Sequence, residues 1–248
     1  MAGGFGTRLR PLTNNIPKPM VPIANKPILE HIINLLKTHS VKDFVVLLFF
    51  MPEVIREELG DGSKYGVRIR YVVPDQDFGT AGAVKLAEQY IKGKFIVISG
   101  DVLTDFDLTA ISDFHKKKKT IATLALYRSK NPLQFGIVLT DKNDKIVRFL
   151  EKPSSSEVFS DTINTGIYFF NKEIFKHIPP GENFDFSKDL FPSLLDKNIP
   201  LYGHKTDGYW RDVGNLEEYM DANLDVLSGK LSYIKAAGKD GNCISKTS

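Results

Sequence analysis

The chain has 248 residues, of which 42% are apolar and 25% charged, as in ordinary globular proteins with a buried core. Its formal net charge is only +3, which argues against nucleic acid as a partner. The single cysteine, Cys243, cannot form a disulfide framework or a thiolate metal site. The longest apolar run, 44–51, is too short to span a bilayer. We therefore expect a cytoplasmic protein without a signal peptide or a membrane partner.

Strands and helices alternate through the first hundred residues. Runs rich in Val, Ile and Phe predict strands at 44–50, 67–73 and 95–99. Amphipathic segments between them predict helices at 27–39, 52–59 and 81–91. This order predicts an α/β fold, doubly wound and Rossmann-like, with a mostly parallel sheet.

The second half is richer in strands. Strands are predicted at 120–127, 135–140, 146–150 and 165–170, with a hairpin turn at 141–144 and a last helix at 216–227. We expect these strands to form a smaller antiparallel or mixed region. The prediction is one domain over residues 1–230 and a polar tail over 231–248.

A glycine-rich segment near the amino end is suited to an anion. Its glycines turn backbone N–H groups outward, and hydroxyl, guanidinium and ammonium groups follow at short spacing. The candidate phosphate-binding residues are Gly3, Gly4, Gly6, Thr7, Arg8 and Lys18. The prolines beside Lys18 predict an extended turn. The alternative is a flexible terminus, and the segment is not a Walker loop, because no Gly-Lys-Ser/Thr follows it.

These residues carry a family resemblance. The run Gly3-Gly-Phe-Gly-Thr-Arg-Leu-Arg-Pro-Leu-Thr13, followed by Pro17-Lys-Pro19, resembles the signature of the sugar nucleotidyltransferases. The stretches 19–27 and 78–83 are similar to the mannose-1-phosphate guanylyltransferases, including their fusions with phosphomannomutase-like domains. The resemblance covers residues 1–230. It implies a nucleoside triphosphate and a hexose 1-phosphate as substrates, with GTP and mannose 1-phosphate as the favoured pair.

Two aspartates are candidate magnesium ligands. Asp101 follows a buried strand, where doubly wound folds bind ligands. The resemblance implies that Asp101 and Asp212 together hold Mg²⁺, whose preferred ligands are oxygens. The alternative roles are a helix cap for Asp101 and a simple turn for Asp212.

The resemblance also implies a sugar-phosphate site. It assigns the sugar hydroxyls to Glu151 and Asn164 and the sugar phosphate to Lys152. Gly136 would let the backbone approach the sugar ring, and Thr165 follows Asn164 in the same motif. The alternatives are a surface ion pair for Glu151 with Lys152 and a turn for Asn164.

Gly79, Thr80 and Gly82 form the candidate base-binding loop. Glycines would let the base stack on the backbone, and the helix that begins here would offer free N–H groups. The alternative is an ordinary connection from a loop to a helix, with no role in binding. The residue that reads the base is not assigned within 74–78.

Catalysis is assigned to Arg8, Lys18 and Lys152, which position and neutralise phosphates, and to Asp101, which would hold the metal. Family members usually carry a short strand before the glycine loop, and here we expect that strand to be missing or reduced. One alternative is the same reaction with glucose 1-phosphate and UTP or dTTP. Another is a non-catalytic subunit that senses a nucleotide sugar. Whether the chain forms a homo-oligomer is left open.

Overall fold

The structure, a computed structural model, describes residues 1–2 and 6–231. Gly3 and Gly4 of the candidate phosphate loop, and all of the predicted tail after Leu231, lie outside the described residues. The chain forms two compact units. The first comprises Met1, Val72–Ser99 and Asp107–Asp207, and the second comprises Ala2–Tyr71, Gly100–Phe106 and the residues from Gly208 onward. In the part of the chain that is described, no helix has the length and apolarity needed to cross a membrane.

Short strands and helices make up the described chain. The strands are β1 (Pro22–Ile23), β2 (Lys26–Pro27), β3 (Asp43–Leu47), β4 (Arg68–Val72), β5 (Phe95–Ile98), β6 (Val102–Thr104), β7 (Ala122–Arg128), β8 (Gly136–Thr140), β9 (Ile146–Glu151), β10 (Thr162–Phe170), β11 (Leu201–Lys205) and β12 (Trp210–Asp212). The α-helices are α1 (Ile28–Thr38), α2 (Pro52–Leu59), α3 (Gly79–Lys85), α4 (Leu108–Lys118), α5 (Phe191–Asp196) and α6 (Leu216–Leu227).

The first unit is built on one six-stranded sheet in the order β11-β7-β10-β8-β9, with β5 paired to β10. Only β11 and β7 run parallel in this sheet, and its other pairs are antiparallel. The α/β class is confirmed, but the expected mostly parallel pairing is corrected to a mixed sheet. The connections between the strands explain the mixed directions. The chain between the antiparallel strands β7 and β10 contains the hairpin of β8 and β9 and no crossover helix. The chain between β10 and β11, the strand that runs parallel to β7, contains α5.

Strand β5 belongs to the same sheet as the later strands. The strands after residue 120 therefore form the largest sheet of the described chain and not a smaller separate region. Aromatic rings pack against the side chains of this sheet. Phe186 lies 5.1 Å from Tyr168, 5.5 Å from Phe170 and 5.9 Å from Phe191, measured between ring centroids. Such contacts add to the burial energy of each ring.

The second unit buries one face of α1, including Ile28, Ile32 and Ile33, as its helical spacing predicts. Ala2 pairs in parallel with Leu48, and the Ala2 N–H donates to the Leu47 carbonyl over 2.9 Å. Ala2 thus forms a bridge next to the end of β3. Strands β6 and β12 form an antiparallel pair.

Several boundaries match the sequence predictions, among them α2 and α6. Helix α3, by contrast, ends at Lys85, and a 3-10 turn at Glu88–Tyr90 replaces the rest of the predicted helix. Strands β6, β11 and β12 were not predicted. Two of them have only three residues, which is too short for a periodic pattern.

Candidate functional site

The second unit brings Lys18, Asp101 and Asp212 together. The Lys18 Nζ donates to Asp101 Oδ2 over 2.5 Å and to Asp212 Oδ1 over 3.4 Å. Lys18 is only 8% exposed, which is uncommon for a lysine unless it is paired. The carboxylates that the sequence separates by more than a hundred residues therefore converge on one ammonium group. We name these three residues the lysine–carboxylate centre.

Short backbone elements position this centre. Asp101 lies in the turn before β6, and Asp212 ends β12, directly opposite Val102 of β6. The Val213 N–H donates to the Asp101 carbonyl over 3.0 Å, which extends the pairing past the strand. Lys18 begins a 3-10 turn, Lys18–Met20, after the extended Pro17. The expected extended turn at Lys18 is therefore corrected to a helical one.

Electrostatics at the centre favour a bound cation. Burial raises the pKa of Asp212, and the negative charge of Asp101 raises it further. Lys18 and then Arg8 oppose this rise in the pKa. Because two carboxylates share one close ammonium, an additional positive charge would stabilise both in their ionised form.

The remaining phosphate-loop residues lie next to the centre. Gly6 has φ +62°, and a Cβ there would lie 3.0 Å from both Lys18 Cβ and Thr13 Cγ2. A glycine is required because this loop packs closely on the turn that carries Lys18. Thr7 and Arg8 follow in an exposed 3-10 turn. A Cβ on Gly214 would lie 3.3 Å from Arg8 Nη2, so the guanidinium lies near the segment after Asp212.

The donor set fits a hard divalent cation. Asp101 and Asp212 supply carboxylate oxygens, and Mg²⁺ prefers a few carboxylates completed by water and phosphate oxygens. Across residues 1–2 and 6–231, no group of three or more His, Cys, Asp or Glu side chains is arranged to hold a metal. A magnesium site on these two aspartates stays a prediction.

In the first unit, Asn164 bonds to two residues that were not predicted. The Asn164 Nδ2 donates to Tyr168 Oη over 3.0 Å and to Ser187 Oγ over 3.2 Å. The Ser187 hydroxyl also acts to lower the pKa of Glu151. Burial raises the pKa of Glu151, and the Lys152 charge opposes that rise. A β-bulge at Gly166, φ +76°, shifts the strand register between Asn164 and Tyr168.

Gly136 lies directly opposite Glu151 in the sheet. A Cβ on Gly136 would lie 2.6 Å from Glu151 Oε2 and 2.8 Å from Phe149 Cζ, so a side chain there would displace this carboxylate from its position. Lys152 is exposed, with φ +46°. Thr165 is 1% exposed, and its hydroxyl donates to the Ala125 carbonyl over 2.7 Å. That hydroxyl could donate to a substrate only if this bond broke.

The candidate base-binding loop is covered by another segment of its own unit. We name residues 182–187 the strap. The N–H groups of Ala81 and Gly82 both donate to the Phe184 carbonyl over 2.9 Å, and the Gly79 N–H donates to Asp77 Oδ1 over 2.8 Å. The expectation of free helical N–H groups is therefore wrong for these three. The Phe184 carbonyl of the strap accepts from the N–H groups of Ala81 and Gly82, for which the sequence alone predicted no partner.

The strap also explains two glycines. A Cβ on Gly79 would lie 2.7 Å from the Phe184 carbonyl oxygen, and one on Gly82 would lie 2.6 Å from that of Glu182. We expect Gly82→Ala to lower the free energy of unfolding by about 1–3 kcal/mol, because the backbone of the strap must move.

Chemical denaturation measures this loss of stability. Gly93→Ala is the matched control, because a Cβ on Gly93 meets nothing within 4 Å. Equal stability of the two variants would contradict the close packing of the strap.

Sequence reasoning missed Tyr168, Asp185 and Ser187. Tyr168 follows Asn164 by four residues within one strand, and burial raises its pKa. Asp185 and Ser187 lie in a loop and an irregular π-helical turn, where neither a period nor a motif marks them. Only contacts across the fold identify them as neighbours of the predicted sugar-binding groups.

The chain is similar in sequence to known proteins. A family model described as nucleotidyl transferase matches residues 1–229. A UTP–glucose-1-phosphate uridylyltransferase from Synechocystis sp. is 37% identical over 252 residues, covering 96% of this chain and 65% of the relative. A mannose-1-phosphate guanylyltransferase from Mycobacterium tuberculosis is 36% identical over 231 residues, covering 92% of this chain and 64% of the relative. The chain thus spans less than two thirds of these relatives' lengths.

The structure is also similar to solved ones. The crystal structure of HddC from Yersinia pseudotuberculosis complexed with GMP-PN matches with a TM-score of 0.77 and 26% identity, covering 90% of this chain and 96% of that one. The similarity confirms the Rossmann-like fold class.

Proposed function

Because the chain belongs to the nucleotidyl transferase family, we propose that it joins a nucleoside triphosphate to a hexose 1-phosphate and releases pyrophosphate. The observation that carries this proposal is the lysine–carboxylate centre, in which one buried ammonium is paired with two carboxylates. A protein that only sensed a nucleotide sugar would have no need for such a charged group at a phosphate loop. The presence of Arg8, Lys18, Asp101 and Asp212 therefore favours an enzyme.

We propose GTP and mannose 1-phosphate as the substrate pair. The stretches 19–27 and 78–83 support this choice, as does the guanylyltransferase relative. The second candidate is UTP with glucose 1-phosphate, which the uridylyltransferase relative favours at nearly the same identity. Both pairs need the same phosphate chemistry, so the difference lies in the groups that bind the base and the sugar.

In this proposal the chain supplies positioning and charge. Arg8 and Lys18 bind the triphosphate and stabilise the pyrophosphate that leaves. Asp101 and Asp212 would hold Mg²⁺, which neutralises charge on phosphate oxygens when bound. Lys152 binds the sugar phosphate, while Glu151 and Asn164 bind sugar hydroxyls.

The reaction needs no general base. An oxygen of the sugar phosphate attacks the α-phosphorus, the bond from this phosphorus to the β-phosphate oxygen breaks, and pyrophosphate leaves with the electron pair. The attacking phosphate is already ionised at neutral pH, so no proton has to be removed. The protein's contribution is to hold two anions together, which Coulomb repulsion opposes without its cations.

Pyrophosphate release tests the proposal. The purified chain would be mixed with each of GTP, UTP and dTTP, together with mannose 1-phosphate or glucose 1-phosphate, in Mg²⁺. We expect release with GTP and mannose 1-phosphate, and its loss when EDTA removes the metal. Release only with UTP and glucose 1-phosphate would support the second candidate. Binding of a nucleotide sugar without any release would overturn the enzymatic proposal.

A further inference from the structure

The strap places one serine hydroxyl among the predicted sugar-binding groups. Ser187 Oγ accepts from Asn164 Nδ2 over 3.2 Å, and the hydroxyl also opposes the rise that burial causes in the pKa of Glu151. We propose that Ser187 is a positioning residue that orients the Asn164 amide, and that Asp185 and Thr80 connect it to the base-binding loop. This inference rests on the proposed function and deepens it, because it makes sugar binding depend on the strap.

Asp185 fixes the position of Ser187. One oxygen of its carboxylate, Oδ1, accepts from the Ser187 N–H over 2.8 Å and from the Lys188 N–H over 3.1 Å. The Asp185 N–H in turn donates to Asp189 Oδ2 over 2.7 Å. An aspartate that caps a helical turn in this way restricts the backbone that follows it. Ser187 therefore has little freedom to move away from Glu151 and Asn164.

The other carboxylate oxygen of Asp185 reaches the base-binding loop. The Thr80 hydroxyl donates to Asp185 Oδ2 over 2.7 Å and accepts from the Phe186 N–H over 3.0 Å. Hydrogen bonds to a charged partner are about twice as strong as neutral ones. A series of hydrogen bonds thus runs from Thr80 through Asp185 and Ser187 to Asn164, one of the groups predicted to bind the sugar.

The chemistry of the sugar-binding groups makes their orientation important. Both donors of the Asn164 amide point to oxygens, those of Tyr168 and Ser187, and its Oδ1 accepts from the Gly166 N–H over 3.2 Å. These bonds fix which way the amide faces. Burial raises the pKa of Glu151, and the Ser187 hydroxyl opposes that rise. Loss of the hydroxyl would remove one of the three bonds that orient the Asn164 amide.

Kinetics of Ser187→Ala test this role. We expect the KM for the hexose 1-phosphate to rise roughly ten-fold, with the KM for the nucleoside triphosphate changed by less than about two-fold. Ser187→Thr keeps the hydroxyl and should restore most of the sugar affinity. Ser156→Ala, an exposed serine, is the matched control. An active Ser187→Ala variant with an unchanged sugar KM would overturn the proposal.

Thr80→Val tests the connection to the base-binding loop. The change removes only the hydroxyl, and Thr80→Ser restores it. We expect Thr80→Val, unlike Thr80→Ser, to raise the KM for the hexose 1-phosphate by roughly three-fold or more. A change confined to the triphosphate KM would overturn the connection.

Calorimetric binding of mannose 1-phosphate and of glucose 1-phosphate separates this proposal from the proposed function. A wild-type protein that binds a hexose 1-phosphate without turnover would contradict only the enzymatic proposal. The strap would then be judged by whether Ser187→Ala weakens that binding. A wild-type protein that binds neither sugar phosphate would overturn both.

Discussion

Replacement of Asp101 by alanine is expected to lower turnover by roughly 10²- to 10³-fold or more, with little change in stability. Its carboxylate is one of two that converge on Lys18, and alanine cannot hold a cation. The fold should persist because the Asp101 backbone, not its side chain, accepts the bond from Val213. Loss of this carboxylate also removes a negative charge that raises the pKa of Asp212.

Steady-state pyrophosphate release and thermal unfolding measure the two parts of this expectation. Asp113→Ala is the matched control, because Asp113 is exposed and pairs only with a neighbouring surface lysine among its described ion pairs. Binding of Mn²⁺, followed by electron paramagnetic resonance, reports on the metal independently of turnover. Near-normal turnover in Asp101→Ala would remove Asp101 from the metal site.

Lys18→Met is expected to lower the free energy of unfolding by about 1–3 kcal/mol at neutral pH, and to lower turnover as well. The variant keeps the apolar stem but leaves Asp101 and Asp212 without their ammonium partner. Removal of one partner from a fully buried ion pair lowers the free energy of unfolding by about 3–5 kcal/mol. The loss should be smaller here, because the two carboxylate side chains are 31% and 30% exposed.

The loss should also depend on pH, and its sign follows from the pKa of Asp212. That pKa is raised above the unfolded value by burial and by Asp101, and removal of Lys18 raises it further. Repulsion between the carboxylates is present above the folded pKa and disappears as Asp212 takes up a proton. The difference in free energy of unfolding between wild type and Lys18→Met should therefore become smaller as the pH falls through the pKa of Asp212.

Denaturation at neutral pH and at about pH 5 measures this dependence. Added Mg²⁺ should raise the unfolding midpoint of Lys18→Met more than that of wild type, because it replaces the missing positive charge. Lys64→Met is the control, since Lys64 and its partner Glu58 are both about half exposed. Equal, pH-independent losses in Lys18→Met and Lys64→Met would contradict the structural importance of the centre.

Local pattern determined much of this protein from the sequence alone. Helices α2 and α6 have the predicted limits, because proline at the start of one and an Asn215 cap before the other act within a few residues. The hairpin between β8 and β9 follows from the turn residues 141–144. The family, too, is evident from the contiguous motifs near Gly6 and Lys18. Each of these features depends on neighbours in sequence.

Tertiary structure alone decided how distant segments meet. The bond between Thr80 and Asp185 spans 105 positions, and the Lys18–Asp212 pair spans 194. The same holds for the mixed strand pairing and for the strap that accepts from the N–H groups of Ala81 and Gly82. Side chains from such distant positions are brought together by the burial of whole sheets and helices, which is a property of the folded chain and leaves no local period or motif to read.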